Sequence, residues 1–278
     1  MTTVEDVQRA VEALWPAATA EDWDAVGLVA GDPVDEVSRI LLAVDATEAT
    51  AAEAVERGVD LLLVHHPLLL RGVSSVAATT PAGRVITRLV RERVALLAAH
   101  TNADAVDRGT SGELASMLRL TGAEPIVVNR VDDAKGLGRV GDLPEPVALS
   151  GLARTLAQLL PAVAGGVRVA GDPERSVRRV AICGGAGDSL LRESAVLGAD
   201  VYITSDLRHH PASDARERHI AGEGPALIDV SHWASESLWL RPAAEQLRAA
   251  LPGVAVEVSE IRTDPWDFAV PQEEHAWH

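Results

Sequence analysis

Leu61-Leu62-Leu63-Val64-His65-His66-Pro67 is the stretch on which the fold turns. Four aliphatic residues in a row, closed by two histidines and a proline, read as a short strand buried on both faces. Runs of the same kind recur at 40–44, 94–98, 180–182, 201–203, 226–228 and 254–258. Between them lie longer stretches of helical pattern, at 4–15, 48–57, 83–93, 112–119, 152–160, 189–197, 212–218 and 234–250. Thr3 and Thr47 precede the first two as candidate N-caps. Strands alternating with helices predict an α/β protein with mixed, largely parallel sheets.

Composition narrows the class. The chain has 278 residues, enough for one large domain or two modest ones. Hydrophobic residues make up 47% but aromatics only 3%, with one Phe and one Tyr. The core must therefore be aliphatic, which argues against an aromatic platform for stacked bases. The formal net charge is −16 and Lys135 is the only lysine. No basic patch is present to neutralise phosphates, so nucleic acid is excluded as a partner, and anionic membranes are disfavoured. An acidic chain does suit divalent cations. Cys183, the single cysteine, cannot form an intrachain disulfide and reads as a small buried hydrophobe. Glu5 and Asp6 stand where a signal peptide would be basic, and the apolar run around 61–70 is broken by His65, His66 and Pro67. The expectation is a cytoplasmic protein without a membrane span.

Three segments carry chemistry. His65 and His66 stand at a strand end, a usual place for a site in an α/β protein. Adjacent strand residues point to opposite faces. Either Pro67 marks a departure that turns both rings to one site, or one ring is a ligand and the other is packed in the core. His100-Thr101-Asn102-Ala103-Asp104 also follows an apolar run. There Asp104 is either a hard oxygen ligand or a loop cap. In Asp229-Val230-Ser231-His232-Trp233-Ala234-Ser235-Glu236, the His232 and Glu236 side chains share one face if a helix capped by Ser231 or Asp229 begins here. They are then either paired ligands one turn apart or a surface pair. Together the segments offer three imidazoles and two carboxylates, enough for two metal ions.

Other residues carry less weight. Asp45 either orients a ligand or caps the next helix; His100 either lies beside the site or is a structural histidine. His210 either reaches the site as an acid or base or lies at a helix start on the surface. Arg71 is either a phosphate contact or a surface ion pair, and Gly184, Gly185 and Gly187 form either an anion site or a tight turn. Composition changes near 121–150, where 132–138 with Gly141, Pro144 and Pro146 reads as loop. Residues 232–236 must meet 65 and 104. The expected division is therefore a metal-binding α/β domain, 1–127 with 226–278, and a smaller α/β domain, 128–225, with the site in the cleft between them. The segment from Asp264 onward is expected to pack loosely, with His275 and His278 as tail residues.

With these segments the chain resembles the GTP cyclohydrolase I type 2 family, the NGG-interacting-factor-three-like dinuclear metal-centre proteins. The resemblance extends through Trp23-Asp24-Ala25-Val26-Gly27-Leu28, Ala43–Thr47, Ile182–Gly187 and Thr204–His210. It implies metal ligands at His65, His66, Asp104, His232 and Glu236, and two divalent ions per chain, drawn from Zn, Fe, Mn, Co or Ni. It also implies a two-domain subunit, a homohexameric ring, and a metal-dependent hydrolase opening the guanine ring of GTP or acting on a related small molecule. Ser205 and Ser231 depart from the glycines usual beside Asp206 and His232. A non-enzymatic metal-binding scaffold is the alternative, distinguished by a closed coordination shell.

Overall fold

The computed structural model describes residues 1–270, so His275 and His278 lie outside the described residues. Its strands are β1 (Gly27–Ala30), β2 (Arg39–Ala43), β3 (Leu61–Val64), β4 (Ala95–Ala98), β5 (Thr121–Glu124), β6 (Val127–Val128), β7 (Gly136–Leu137), β8 (Arg139–Ala148), β9 (Arg168–Ala170), β10 (Ser176–Ala186), β11 (Val201–Ser205), β12 (Ala226–Val230) and β13 (Ala255–Val258). The helices are α1 (Val4–Leu14), α2 (Glu48–Glu56), α3 (Pro81–Arg91), α4 (Thr101–Ala105), α5 (Thr110–Met117), α6 (Leu149–Leu159), α7 (Ser194–Leu197), α8 (His209–Ile220) and α9 (His232–Ala250). All seven strands expected from apolar runs form. Thr3 and Thr47 cap α1 and α2, each in a reciprocal capping box.

The first sheet runs β1-β4-β3-β2-β13, with β13, β2, β3 and β4 parallel and β1 an antiparallel edge. Its apolar strands alternate between two cores, as a period of two requires. Ile40, Leu42, Leu61, Leu63 and Leu97 face α1 and α9, while Leu41, Leu62, Val64 and Leu96 face α2 and α3. Trp15 and Trp239 meet edge to face in the first core, with ring centroids 5.0 Å apart.

The second sheet is mixed, β5-β8-β10-β11-β12-β9, with β10, β11 and β12 parallel. Val180, Ile182, Ile203 and Ile228 face α5, α6 and the start of α9; Ala181, Tyr202 and Leu227 face α8. Residues 226–258 therefore divide between the sheets. Ile228 pairs with Ile203 of β11 in the second, and only from α9 onward does the chain pack on the first.

The helix expected over 189–197 splits into a 3-10 turn at Asp188–Leu190 and the short α7, and a second expectation fails outright. Residues 139–148, read as loop for their prolines, form β8 along β10. The register slips there. Asp142 and Val147 face Arg179 and Val177, so Leu143–Pro146 bulge opposite a single residue. A bulge is where prolines, which have no amide to give, are tolerated.

Candidate metal centre

The carboxyl ends of both sheets face each other across the N-terminus of α9, and the predicted residues lie there. β3 ends at Val64, but His65 N and His66 N still donate to Ala43 O and Val44 O, 3.1 and 2.9 Å away. The chain then departs toward Pro67, and both rings turn to one site with centroids 5.0 Å apart. The two rings thus come together on one side of the strand end.

Each ring has one nitrogen occupied and one aimed inward. His65 Nδ1 donates to Ala99 O (2.9 Å), His66 Nδ1 to Asp45 Oδ1 (2.7 Å), and His232 Nδ1 to Asp206 Oδ2 (2.7 Å). His100 Nδ1 donates to Asp24 Oδ1 (2.9 Å). A partner on Nδ1 fixes the tautomer and leaves Nε2 as the free donor atom, the usual support of a metal-binding histidine. The Nε2 atoms of His65, His66 and His232 surround Glu236, which is 3% exposed. His232 Nε2 and His66 Nε2 each lie 2.9 Å from one of its oxygens, and His65 Nε2 lies 3.6 Å away. Asp104, held by the Thr110 hydroxyl, is 3.6 Å from His65 Nε2.

Two groups have the spacing of a metal shell, His65 with His66 and His100, and His66 with His232 and Glu236. His66 belongs to both. His65 Nε2 and Glu236 Oε2 are buried and make no well-directed hydrogen bond among the described residues. Buried lone pairs without donors are costly, and a cation relieves that cost. The donor set thus fits divalent ions. Cys183 belongs to neither group; burial, with Asp104 and Glu236 nearby, pushes its thiol up to about 12 in the metal-free protein.

Helix α9 places its two residues through its cap. Ser231 Oγ accepts from Ala234 N (3.1 Å), so His232 and Glu236 stand one turn apart at the helix start. Gly185 completes the floor. It adopts φ +71°, and a Cβ there would fall 2.3 Å from Glu236 Oε1. The glycine run is therefore a tight turn that lets backbone approach the cluster, rather than an anion site.

Asp45 sits as expected. His100 is closer in than a structural histidine, while His210 is exposed on α8 beside Asp188, Arg192 and Asp214, in a recess of its own. It does not reach the cluster, because α8 packs on the opposite face of the second sheet. Arg71 is exposed. Asp206 and Asp24, not singled out as site residues from sequence, emerge as the carboxylates that orient His232 and His100. Asp206→Asn is expected to weaken metal binding about 10- to 100-fold, measured by competition with a chromophoric chelator. An unchanged affinity would remove its orienting role.

Charge in the metal-free cluster is tightly coupled. Burial pulls the His66 pKa down, but Glu236 and Asp45 outweigh it and push it up to about 11. Burial likewise opposes charge on His232, yet Glu236 and Asp206 raise it to about 10. Burial would raise Glu236, but the facing imidazoles hold it well below the usual carboxylate range. Both pKa values are raised by the facing carboxylates, so the metal-free rings hold protons that a metal must displace. Metal uptake near neutral pH is expected to release roughly one to two protons per chain, and affinity to rise with pH. Calorimetry in buffers of different ionisation heat reads this directly, and buffer-independent heats would contradict it.

A cavity of about 750 Å³ opens onto this cluster. Asp45, His66, Asp206 and His232 form its floor, with Arg168, Trp233, Trp266 and Phe268 on its walls. The chain is fastened at Thr263 and Asp264, and Trp266, Phe268 and Val270 after them are exposed. Thr263 Oγ1 donates to Asp45, and the Ser231 hydroxyl donates to Asp264. No helix among the described residues is long and apolar enough to cross a membrane.

Comparison with known proteins places this site in context. The model of the family described as Duf34/NIF3 (NGG1p interacting factor 3) matches residues 2–265. A Streptomyces coelicolor protein named "GTP cyclohydrolase 1 type 2 homolog" is 48% identical over 272 residues, spanning 96% of this chain and 94% of the relative. A Mycobacterium tuberculosis protein of the same name is 36% identical over 373 residues, spanning 95% and 96%. Among solved structures, Staphylococcus aureus protein SA1388 superposes with a TM-score of 0.86 at 27% identity, covering 96% of this chain and 99% of that one.

Proposed function

Because the chain belongs to the Duf34/NIF3 family and gathers imidazoles and carboxylates in one cluster, we propose that it is a dinuclear metal-dependent hydrolase. His65, His66, Asp104, His232 and Glu236 would hold two divalent ions per chain, of Zn, Fe, Mn, Co or Ni. Bound there, the ions supply an activated water and stabilise negative charge in the transition state. The observation that carries this reading is the inward Nε2 of His65, buried without a partner and facing Asp104 and Glu236. The chain's own residues do the positioning. Asp45 and Asp206 fix two imidazoles, Ala99 O fixes the third, and Gly185 lets Glu236 approach.

The substrate is a small molecule of the nucleotide or related heterocycle class, GTP being the one named by the relatives. The working assembly is a ring-shaped homohexamer in the cytoplasm. Exposed Leu70, Val73 and Val76, on the segment between β3 and α3, are apolar surface available to such contacts.

The test is metal content by mass spectrometry on protein ending before His275, followed by turnover of GTP. About two ions per chain and turnover lost in Asp104→Ala support the reading. Two ions without turnover of GTP would remove that substrate. A cluster that takes up no added Zn, Mn or Fe would end the metal reading altogether.

A further inference from the structure

Aromatic side chains are scarce in this chain, with six Trp, one Tyr and one Phe. Trp15, Trp239 and Tyr202 are fully buried and serve the cores. Three of the remaining five, Trp233, Trp266 and Phe268, line the cavity that opens on the histidine cluster. Trp266 and Phe268 are 68% and 80% exposed, so their rings are presented to the opening rather than packed away. Large rings left in water forgo the gain of burial, and an exposed pair beside reactive groups has the character of a ligand surface.

Their placement is specific. Asp264 Oδ1 accepts from Trp266 N (3.1 Å), a local turn that sets the direction of the segment. Asp264 is also bonded by Ser231, the cap of α9, and Thr263 is bonded to Asp45, the partner of His66. The segment that carries the rings is thus fastened to the two groups that position His232 and His66. Away from the rings of His66 and His232, the cavity lining holds four carboxylates, Asp45, Asp206, Asp229 and Asp264, and Arg168, which is already paired with Asp229. The walls thus offer little to a bare polyanion, and flat apolar contact is the attraction they add.

We propose that Trp266 and Phe268 form the specificity-determining wall of this cavity, gripping the face of a planar, nucleoside-sized ring whose edge is presented to His66 and His232. This rests on the hydrolase reading and names the part of the substrate that the protein itself recognises. Phosphates, where a substrate carries them, contribute at the metal positions and not at the wall.

The experiment is equilibrium dialysis of adenosine, guanosine, ribose 5-phosphate and inorganic triphosphate against the metal-loaded full chain and a Trp266→Ala/Phe268→Ala variant. Both nucleosides are expected to bind the wild type, and the variant to bind them at least about tenfold more weakly, the loss of one stacked ring. Metal content should be unchanged, because neither ring touches a candidate ligand, and Trp266→Phe should restore most of the binding. The proposal is overturned if nucleosides bind wild type and variant equally, if only the phosphate compounds bind, or if no ring is retained. Nucleoside binding without any turnover would defeat the hydrolase reading and leave the wall standing. Failure to load metal is read separately from the metal content.

Discussion

Glu236→Ala is expected to empty the cluster of metal and to destabilise the metal-free protein by about 3–5 kcal/mol. Both effects come from one position. Glu236 is the carboxylate around which His65, His66 and His232 are arranged, and it is buried. Removing it takes away a ligand and leaves His66 and His232, 3.2 Å apart, without the carboxylate between them and with only Asp45 and Asp206 as counter-charges. Breaking a buried ion pair from one side is costly because the remaining charge has lost both water and partner. Glu236→Gln separates the two effects. It keeps the volume and some hydrogen bonding, so metal is still lost while part of the stability returns. Metal content and chemical denaturation after chelation read the two quantities. A wild-type metal content in Glu236→Ala would show that the carboxylate is only a neighbour of the site.

Gly185→Ala is expected to lower metal affinity about 100-fold with the fold intact. The added methyl would lie 2.3 Å from Glu236 Oε1 and 3.2 Å from His232 Nε2, so the carboxylate must move out of register with the imidazoles. The left-handed backbone adds a further cost of about 1–2 kcal/mol for any residue with a Cβ. Gly222→Ala is the control. It has φ +78° and nothing within 4 Å of the new methyl. It should share the backbone cost and keep its metal. Equal metal binding in both variants would mean that Glu236 tolerates displacement.

The parts legible in the sequence are those whose cause is local. Four aliphatic residues before His65 specify a buried strand wherever they sit, and the spacing of His232 and Glu236 specifies a shared helix face. Ser231 signals the helix start that makes that spacing matter. The parts that were not legible depend on distant partners. Asp24 reaches His100 across 76 positions, and nothing around residue 24 announces that imidazole. Asp206 reaches His232 from a left-handed conformation, φ 56°, that its side chain does not demand. His100 and His210 look alike in sequence, each beside an element end. The first lies at the carboxyl end of β4, inside the gathering of strand ends. The second lies on α8, behind the sheet. β8 was hidden because its prolines oppose strand formation locally, and only the register slip against β10 accommodates them.

Helix α9 gives Trp239, Leu240 and Leu247 to the core of the first sheet and Ala234 to that of the second, and β13 follows it as an edge of the first. The order of synthesis gives this sharing a cost. A growing chain displays β2, β3, β4 and then β10, β11 and β12 well before the element that covers one face of each has emerged. Neither half can finish burying its aliphatic strands alone, so the nascent protein carries open apolar sheets until its last elements leave the ribosome. Chains that stall or are truncated before residue 232 should therefore be the ones that aggregate and are captured by chaperones.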